Sequence, residues 1–308
     1  MKILRKITAL ALVALLMISL VACGDDAKEE KNSLTVQFVP TNNDGTMEAQ
    51  AEPFAKYLTD KLGMDVTVTL ATDYTTIVEA MGSGQVDVGI MPPAAYVQAR
   101  NQKYAKAILT SQLGKYDDAT GEPIEGELTS SFNAEILVRA DSDLNELSDL
   151  KDKNIAALGA SSASGYIYPV AEMKNAGIKV PGDVNITNVN DIPSAILSVL
   201  EGQQDAMFSF EGTRYVFSGA LDKDLVSELR VLYLTEGEIP NDAIAVLPDM
   251  DEELQNKIKD VFLNMPNDEE GLAAMSLWGH MGYGEANEAA YDTIEEYIEV
   301  AAESCRYI

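Results

Sequence analysis

The stretch with the clearest chemical potential is a small, hydroxyl-rich segment, GASSASGY, at residues 159–166. It follows an apolar run at 155–158 and opens a helical pattern that continues through Val170 and Met173. A strand that turns through such residues into a helix directs free backbone N–H groups and the positive end of the helix dipole at one point. The segment therefore predicts an anion-binding turn, although serine is also a common structural cap of helices.

Other kinds of site are poorly supported by the sequence. With two cysteines and one histidine, His280, the chain offers no cluster of soft metal ligands, and we expect neither a metal nor a cofactor. The serine segment does not match the Gly-x-Ser-x-Gly elbow of hydrolases, and neither a phosphate-binding P-loop nor a dinucleotide fingerprint is present. We expect a protein that is not an enzyme, with a hydrolase as a remote alternative.

The start of the chain resembles an export signal. Lys2, Arg5 and Lys6 precede an uncharged, mostly apolar run at residues 7–22 that is short for a membrane span. The sequence Leu-Val-Ala-Cys at 20–23 resembles a bacterial lipobox, which implies cleavage before Cys23 and lipid attachment to it. We therefore predict a signal peptide at 1–22 and anchoring on the extracytoplasmic face of the cell membrane.

Charge limits the partners. The chain carries 50 acidic and 22 basic residues, a formal net charge of −28. Such a surface repels nucleic acid and anionic lipid, so an anionic ligand must be captured by local dipoles. The polar segment at 23–33 has nothing to bury and is predicted to be a flexible tether, which leaves the lipid as the membrane contact.

Beyond the tether, strand patterns alternate with helical patterns, which predicts parallel βαβ units. The turns after the first three strands hold Asn42 and Asn43, then Asp73 and Tyr74, then residues 92–96. In parallel sheets the carboxyl ends of strands lie at one edge, where ligands bind. We expect these turns to converge there.

The later strands predict that the chain leaves one lobe and returns to it. A strand at 132–139 carries the chain into a second lobe, and residues 230–234 form the return crossing. We predict lobe I at 34–133 plus 235–308 and lobe II at 134–234. Within them we also predict a helix at 144–150 and a capping box of Asp249 and Glu252.

Four stretches together resemble the substrate-binding lipoproteins of phosphate, phosphite and phosphonate ABC transporters. They are Ala-Thr-Asp-Tyr at 71–74, Gly-Gln-Val-Asp-Val-Gly at 84–89 running on to Tyr96, Ser-Ala-Ser-Gly-Tyr at 162–166, and Ile-Pro-Asn-Asp-Ala-Ile-Ala-Val at 239–246. Their order spans about 34–277. The resemblance implies an α/β, two-lobed periplasmic-binding-protein fold, each lobe a mixed, mainly parallel sheet flanked by helices, with two crossing strands as the hinge.

The resemblance also implies a ligand site. The family holds its oxyanion on a Ser-Thr-Ser turn, which corresponds to Ser162, Ala163 and Ser164. Tyr74 and Tyr96 correspond to tyrosines of the first lobe, and acidic residues that meet a ligand amine correspond to Asp242 and Glu211.

Ala163 departs from the family pattern because it removes one hydroxyl donor, for which Ser161 is a possible substitute. A sulfonate, a carboxylate and a phosphorylated metabolite therefore stay open beside a phosphonate. Arg214 is a further candidate for binding the anionic ligand, or it forms a salt bridge to a nearby acidic residue.

The sequence thus predicts a monomeric, lipid-anchored solute-binding protein of an ABC importer, working with permease subunits. The alternative is a tethered sensor that uses the same fold without transport, since fold alone does not decide between them.

Overall fold

In the computed structural model, the structure describes residues 32–39, 46–117, 121–275 and 278–302. The predicted signal peptide, the lipidation site at Cys23, nearly all of the tether and the turn at Asn42 and Asn43 lie outside these residues. None of the helices in the described ranges is long and apolar enough to cross a membrane.

The described residues form twelve strands in two sheets. The first sheet has the order β2-β1-β3-β11-β4-β12, with β5 paired to β4, and the second has the order β10-β6-β9-β7-β8. The strands are β1 (Ser33–Phe38), β2 (Asp65–Leu70), β3 (Val88–Met91), β4 (Lys106–Tyr116), β5 (Pro123–Thr129), β6 (Ser131–Arg139), β7 (Asn154–Ala157), β8 (Asn185–Asn188), β9 (Ala206–Phe210), β10 (Leu229–Pro240), β11 (Ala243–Val246) and β12 (Gly282–Glu285).

Helices join and cover these strands. They are α1 (Thr46–Leu62), α2 (Tyr74–Gly82), α3 (Pro93–Asn101), α4 (Tyr168–Asn175), α5 (Ile192–Leu200), α6 (Thr213–Leu221), α7 (Leu225–Glu228), α8 (Glu252–Asn264), α9 (Glu269–Met275) and α10 (Glu288–Ala302), with a π-helical turn at Ala163–Ile167 and 3-10 turns at Leu147–Leu150 and Met265–Asn267. The mixed α/β, two-sheet architecture agrees with the predicted fold class.

Two local predictions are wrong. The helix predicted at 144–150 is only the 3-10 turn Leu147–Leu150, because the Asp149 carboxylate accepts the backbone N–H groups of Asn145 and Glu146, at 2.8 and 3.1 Å. Such local side-chain bonds compete with helix formation. The cap of α8 is Asp251 instead of Asp249, since its Oδ1 accepts from two N–H groups of the first turn.

Both sheets combine parallel and antiparallel pairing. β1 pairs in parallel with β2 and β3, and β7 pairs in parallel with β8 and β9, as the βαβ patterns predict. The other pairings are antiparallel, so antiparallel pairs are the majority among the described strands, contrary to the expectation of mainly parallel sheets. The antiparallel pairs involve the two crossing strands β6 and β10, the β4–β5 hairpin, and the strands β11 and β12, which join the first sheet after the chain returns to it.

Each sheet is buried between helices. On one face of the first sheet, α1 and α8 contribute Phe54 and Phe262, whose rings lie edge to face 6.4 Å apart. Trp278 packs against Phe54 and against Phe38 of β1, with both ring distances at 4.9 Å. Aromatic burial of this kind is among the larger stabilising contributions in a core, so this face holds the first sheet rigidly.

The chain crosses between the sheets through β6 and β10, which pair antiparallel from Ser131 opposite Pro240 to Arg139 opposite Leu229. The ladder is interrupted between Leu234 and Glu238. There the buried carboxylate of Glu172 accepts the N–H groups of Glu236 and Gly237, at 3.0 and 2.9 Å. A side chain of α4 thus satisfies donors that the bulge removes from the sheet. The lobe boundaries given above remain a prediction.

Candidate functional site

The serine turn adopts the strand-turn-helix geometry that its sequence predicts. It follows β7, enters the π-helical turn at Ala163 and continues into α4. Ser162 is the cap: its Oγ accepts the N–H of Gly165 at 3.2 Å. The first N–H groups of such a helix have no acceptor within it, so the turn offers donors to an anion.

Gly165 is required for the approach of the turn to the strand. Its carbonyl accepts the N–H of Leu158 at 3.1 Å, and a Cβ at this position would lie 2.7 Å from Leu158 Cδ1. Around it, Ser162 and Ala163 are buried, Ser164 is partly buried and Ser161 is exposed. Ser161 is therefore more exposed to solvent than the three residues of the predicted motif.

Tyr74 approaches this turn from the other sheet. It is the first residue of α2, fixed by the cap Asp73, whose Oδ1 accepts the N–H of Thr76 at 2.8 Å. Burial of the hydroxyl end and the negative charge of Asp242 raise the pKa of Tyr74 to about 12, while a hydrogen bond with Ser162 acts in the opposite direction. The Tyr74 phenol is thus close to Ser162, next to the second sheet, and within the electrostatic influence of Asp242, next to the first sheet.

Asp242 stands between β10 and β11 with 27% of its side chain exposed. Its backbone is held firmly: its carbonyl accepts the N–H of Ser111 at 2.9 Å. The preceding side chain, Asn241, donates through Nδ2 to the carbonyls of Ser111 and Thr129, at 3.0 and 2.9 Å. A carboxylate on such a braced loop can present a fixed negative charge to a ligand.

His280 is a neighbour of Asp242 that the sequence does not identify as a site residue. Its Nε2 lies 3.4 Å from Asp242 Oδ2, and its Nδ1 lies 3.2 Å from the hydroxyl of Tyr283. Burial, and then the charge of Asp242, raise the pKa of Tyr283. No spacing signal identifies His280, because it comes 38 positions after Asp242 and precedes a strand, β12, that the sequence pattern did not reveal.

Tyr96 occupies a different environment from Tyr74. It is fully buried; its hydroxyl donates to Glu288 Oε1 at 2.6 Å and accepts the N–H of Ala107 at 3.0 Å. Its ring packs edge to face on Tyr291, 4.7 Å away. Burial, followed by the bond to Glu288, raises the pKa of Tyr96. These contacts tie α3 to α10, and the structure does not bring the Tyr96 hydroxyl to Ser162.

Glu211 lies with a second buried carboxylate, Glu135. Glu211 Oε2 accepts the N–H of Asn133 at 3.4 Å. Glu135 is 2% exposed, and its pKa is raised to about 8 by burial, against the lowering effect of Arg214; the charge of Glu211 adds to the increase. Arg214 is therefore part of this buried charge cluster.

The hairpin of β4 and β5 covers this cluster. Tyr116 of β4 lies against Gly212, where a Cβ would be 2.1 Å from the Tyr116 ring, and Gly212 has a φ of +85°. Only glycine combines that backbone with that contact. Across the described residues, no group of three or more metal-binding side chains comes together.

Comparisons with known proteins identify the family to which the chain belongs. The family model described as "ABC transporter, phosphonate, periplasmic substrate-binding protein" matches residues 36–291. The phosphate-import protein PhnD of Mycolicibacterium smegmatis is 27% identical, with 97% of each chain covered. The phosphonates-binding periplasmic protein of Escherichia coli is 25% identical, with 89% of this chain and 78% of the relative covered.

A solved structure supports the fold. PhnD1 from Prochlorococcus marinus, in complex with methylphosphonate, superposes with a TM-score of 0.69 at 19% identity, covering 86% of this chain and 97% of that one. The family match extends over most of the sequence, from β1 into α10. The chain belongs to the periplasmic substrate-binding proteins of phosphonate ABC transporters.

Proposed function

We propose that this chain captures a phosphonate or a related small oxyanion in the cleft between the serine turn and the loop of Asp242, and delivers it to ABC permease subunits. The observation that carries the proposal is the environment of the Tyr74 phenol, whose pKa responds both to a hydrogen bond with Ser162 and to the negative charge of Asp242. One residue thereby joins the anion-binding turn to the acidic loop across the two sheets.

The oxyanion end of the ligand is assigned to the N–H groups of the turn and to the hydroxyls of Ser162 and Ser164, with Ser161 as a contributor from the rim. Charge-assisted hydrogen bonds of this kind are about twice as strong as neutral ones. Ala163 offers its backbone N–H but no hydroxyl. The local donors offset the repulsion of an anion by the net charge of −28.

The far end of the ligand is assigned to Asp242, with Glu211 as a second acidic residue. A buried ammonium group needs an opposite charge close by, because an unpaired buried charge is strongly unfavourable. Asp242 is braced through its backbone and keeps part of its carboxylate exposed. These features favour a zwitterionic ligand such as an aminoalkyl phosphonate over a simple anion.

Tyr96 has a different part in this proposal from the one that the family resemblance implies. Because its hydroxyl is engaged by Glu288 and Ala107, it supports the wall of the cleft through packing. The mature protein acts as a monomer, held at the extracytoplasmic face of the membrane by a lipid on Cys23.

The proposal is tested with two ligands of equal size, 2-aminoethylphosphonate and n-propylphosphonate, in which a methyl group replaces the ammonium. Binding is measured by isothermal titration calorimetry on the wild-type protein and on Asp242→Asn. The variant should lose about 10- to 100-fold in affinity for the zwitterion, the range of a desolvated charge pair, and much less for the alkyl ligand.

The matched control is Asp251→Asn, a change of the same chemical type at the cap of α8. Asp242 precedes β11 and Asp251 follows it, so the two residues lie at opposite ends of that strand. Equal losses for the two ligands in Asp242→Asn would remove Asp242 from the site. If neither ligand binds to the wild-type protein, the phosphonate assignment fails.

A further inference from the structure

His280, the neighbour of Asp242, is enclosed by aromatic side chains. His280 has 2% of its side chain exposed and lies between Trp278, with ring centroids 5.7 Å apart, and Tyr283, at 5.6 Å. Its Nε2 points at Asp242 Oδ2. Asp242 is thus the more exposed member of the pair, and its carboxylate offers the imidazole a route by which to influence a ligand.

The contacts define which ring nitrogen of His280 carries the hydrogen when the imidazole is neutral. The raised pKa of Tyr283 keeps its phenol protonated, so the Tyr283 hydroxyl can donate to His280 Nδ1. The remaining hydrogen then lies on Nε2 and faces Asp242. The Nε2–Oδ2 distance of 3.4 Å is long for a hydrogen bond but short for an ion pair. The charge on the imidazole therefore matters more at this contact than a neutral hydrogen bond does.

The described charged groups that face His280 are few. Asp242 faces it from the loop before β11, and the phenol of Tyr283 faces it from β12. Tyr57 of α1 lies behind Tyr283, and burial raises its pKa to about 12, with the charge of Asp268 as the next cause. Both phenols stay neutral in the range where histidines change charge, so Asp242 is the charged partner there.

We propose that His280 sets the net charge that Asp242 presents to the ligand, so that the protein prefers zwitterionic over simple anionic ligands strongly when His280 is neutral and weakly when it is protonated. With a neutral imidazole, Asp242 carries an uncompensated negative charge toward the cleft and attracts an ammonium group. With an imidazolium 3.4 Å from Oδ2, that charge is largely compensated, an ammonium group is repelled and an oxyanion is tolerated. His280 is a positioning residue: it does not contact the ligand but changes the net charge that Asp242 presents to it.

This inference rests on the proposed function, and its test is a selectivity ratio. The ratio of the dissociation constant for n-propylphosphonate to that for 2-aminoethylphosphonate is measured by calorimetry at pH 7.5 and pH 5.5 on the full-length protein. Both ligands change protonation in this range, so the same ratios are measured for His280→Gln, which keeps an amide donor near the Nε2 position but takes up no proton. The ligands' own titration is common to both proteins.

The wild-type ratio should fall on acidification about 10-fold more than the ratio of His280→Gln, a difference of about 1.4 kcal/mol. Asp242→Asn, which keeps the histidine, should lose this extra fall as well, because the charge acts through the carboxylate. His280→Asn, which places its amide near the Nδ1 position and Tyr283, provides a second uncharged variant if His280→Gln does not fold.

The outcomes separate the two proposals. Ratios that change equally with pH in the wild-type protein and in His280→Gln would overturn the inference while leaving the phosphonate assignment intact. Persistence of the extra fall in Asp242→Asn would overturn the route through Asp242. Absence of binding by both ligands at both pH values would overturn the proposed function and this inference with it. A purely structural role would lower the stability of the variants without a charge-dependent change in the ratio.

Discussion

Replacement of Ser162 by alanine would remove one oxygen atom that interacts with two residues and, in our proposal, with the ligand. The Ser162 hydroxyl caps the N–H of Gly165 at 3.2 Å, contacts the phenol of Tyr74 and, in our proposal, donates to the oxyanion. Alanine at this position keeps the backbone N–H groups of the turn. The substitution therefore separates the contribution of the side chain from that of the helix dipole.

Two magnitudes follow from these contacts. Loss of a serine cap lowers the free energy of unfolding by about 1 kcal/mol. Loss of a hydrogen bond to a charged ligand lowers the binding free energy by about 2 kcal/mol, which is roughly a 30-fold increase in the dissociation constant. The first effect is present without ligand, and the second appears only with it.

The two effects are separated by urea unfolding with and without 2-aminoethylphosphonate, at a ligand concentration of about 100 times the wild-type dissociation constant. The ligand should add about 2.7 kcal/mol to the stability of the wild-type protein but only about 0.9 kcal/mol to that of Ser162→Ala. The control is Asp251→Ala, which removes a cap with two N–H contacts at 2.9 and 3.3 Å at the opposite end of β11 from Asp242. This variant should lose similar stability without ligand and keep the full 2.7 kcal/mol.

Equal ligand-induced stabilisation of Ser162→Ala and Asp251→Ala would refute the reasoning. It would mean that the Ser162 hydroxyl is only a structural cap and that the anion, if it binds at this turn, is held by backbone N–H groups. A loss of ligand stabilisation in both variants would also contradict it, because the distant cap would then influence the cleft.

Three further substitutions test other parts of the molecule. For Glu135, a folded pKa of about 8 against 4.5 means that the native state binds its proton more tightly than the unfolded chain does. The stability that this proton contributes is present in acid and is lost as the pH rises through 8. In urea titrations between pH 7 and pH 9, the free energy of unfolding of the wild-type protein should therefore fall by about 1.4 kcal/mol more than that of Glu135→Gln. Glu172→Gln should lower the free energy of unfolding by about 2–4 kcal/mol, because an amide cannot accept hydrogen bonds from all four donors of Glu172. These donors are two backbone N–H groups and the hydroxyls of Tyr233 and Tyr297. Unchanged urea midpoints would contradict this. Tyr96→Phe should cost about 1–3 kcal/mol of stability and leave the calorimetric affinity for 2-aminoethylphosphonate within about twofold, and a large loss of affinity would return Tyr96 to the ligand site.

Much of the architecture could be predicted from sequence periodicity. The helix at 192–200 and the strand that begins at Ala243 were predicted from the chain alone, because apolar spacing and turn residues agree there. The serine turn was also predictable, since a strand, small residues and a helix follow one another directly. Local patterns were sufficient wherever the structure is determined within about ten residues.

The contacts that sequence reasoning did not predict join distant segments. Tyr96 follows a strand, as a ligand residue would, but its side chain turns into the interior, where Glu288 comes from a helix 192 residues later. His280 reaches Asp242 only because β12 is added to the edge of β4, and its four residues, Gly282–Glu285, have no clear strand pattern. The direction of a side chain and the pairing of a short strand are set by tertiary packing, which residue spacing does not encode.

The order of strands in the first sheet has a consequence for how the chain folds. β11, residues Ala243–Val246, is inserted between β3 and β4, although it is synthesised more than 120 residues after β4. Until it arrives, β3 and β4 have no central partner and their edges can pair with other chains. The long sequence separation makes this sheet slow to complete and leaves truncated chains prone to aggregation. The first sheet of a newly made chain therefore cannot be completed until residues 243–246, in the last quarter of the sequence, have been synthesised.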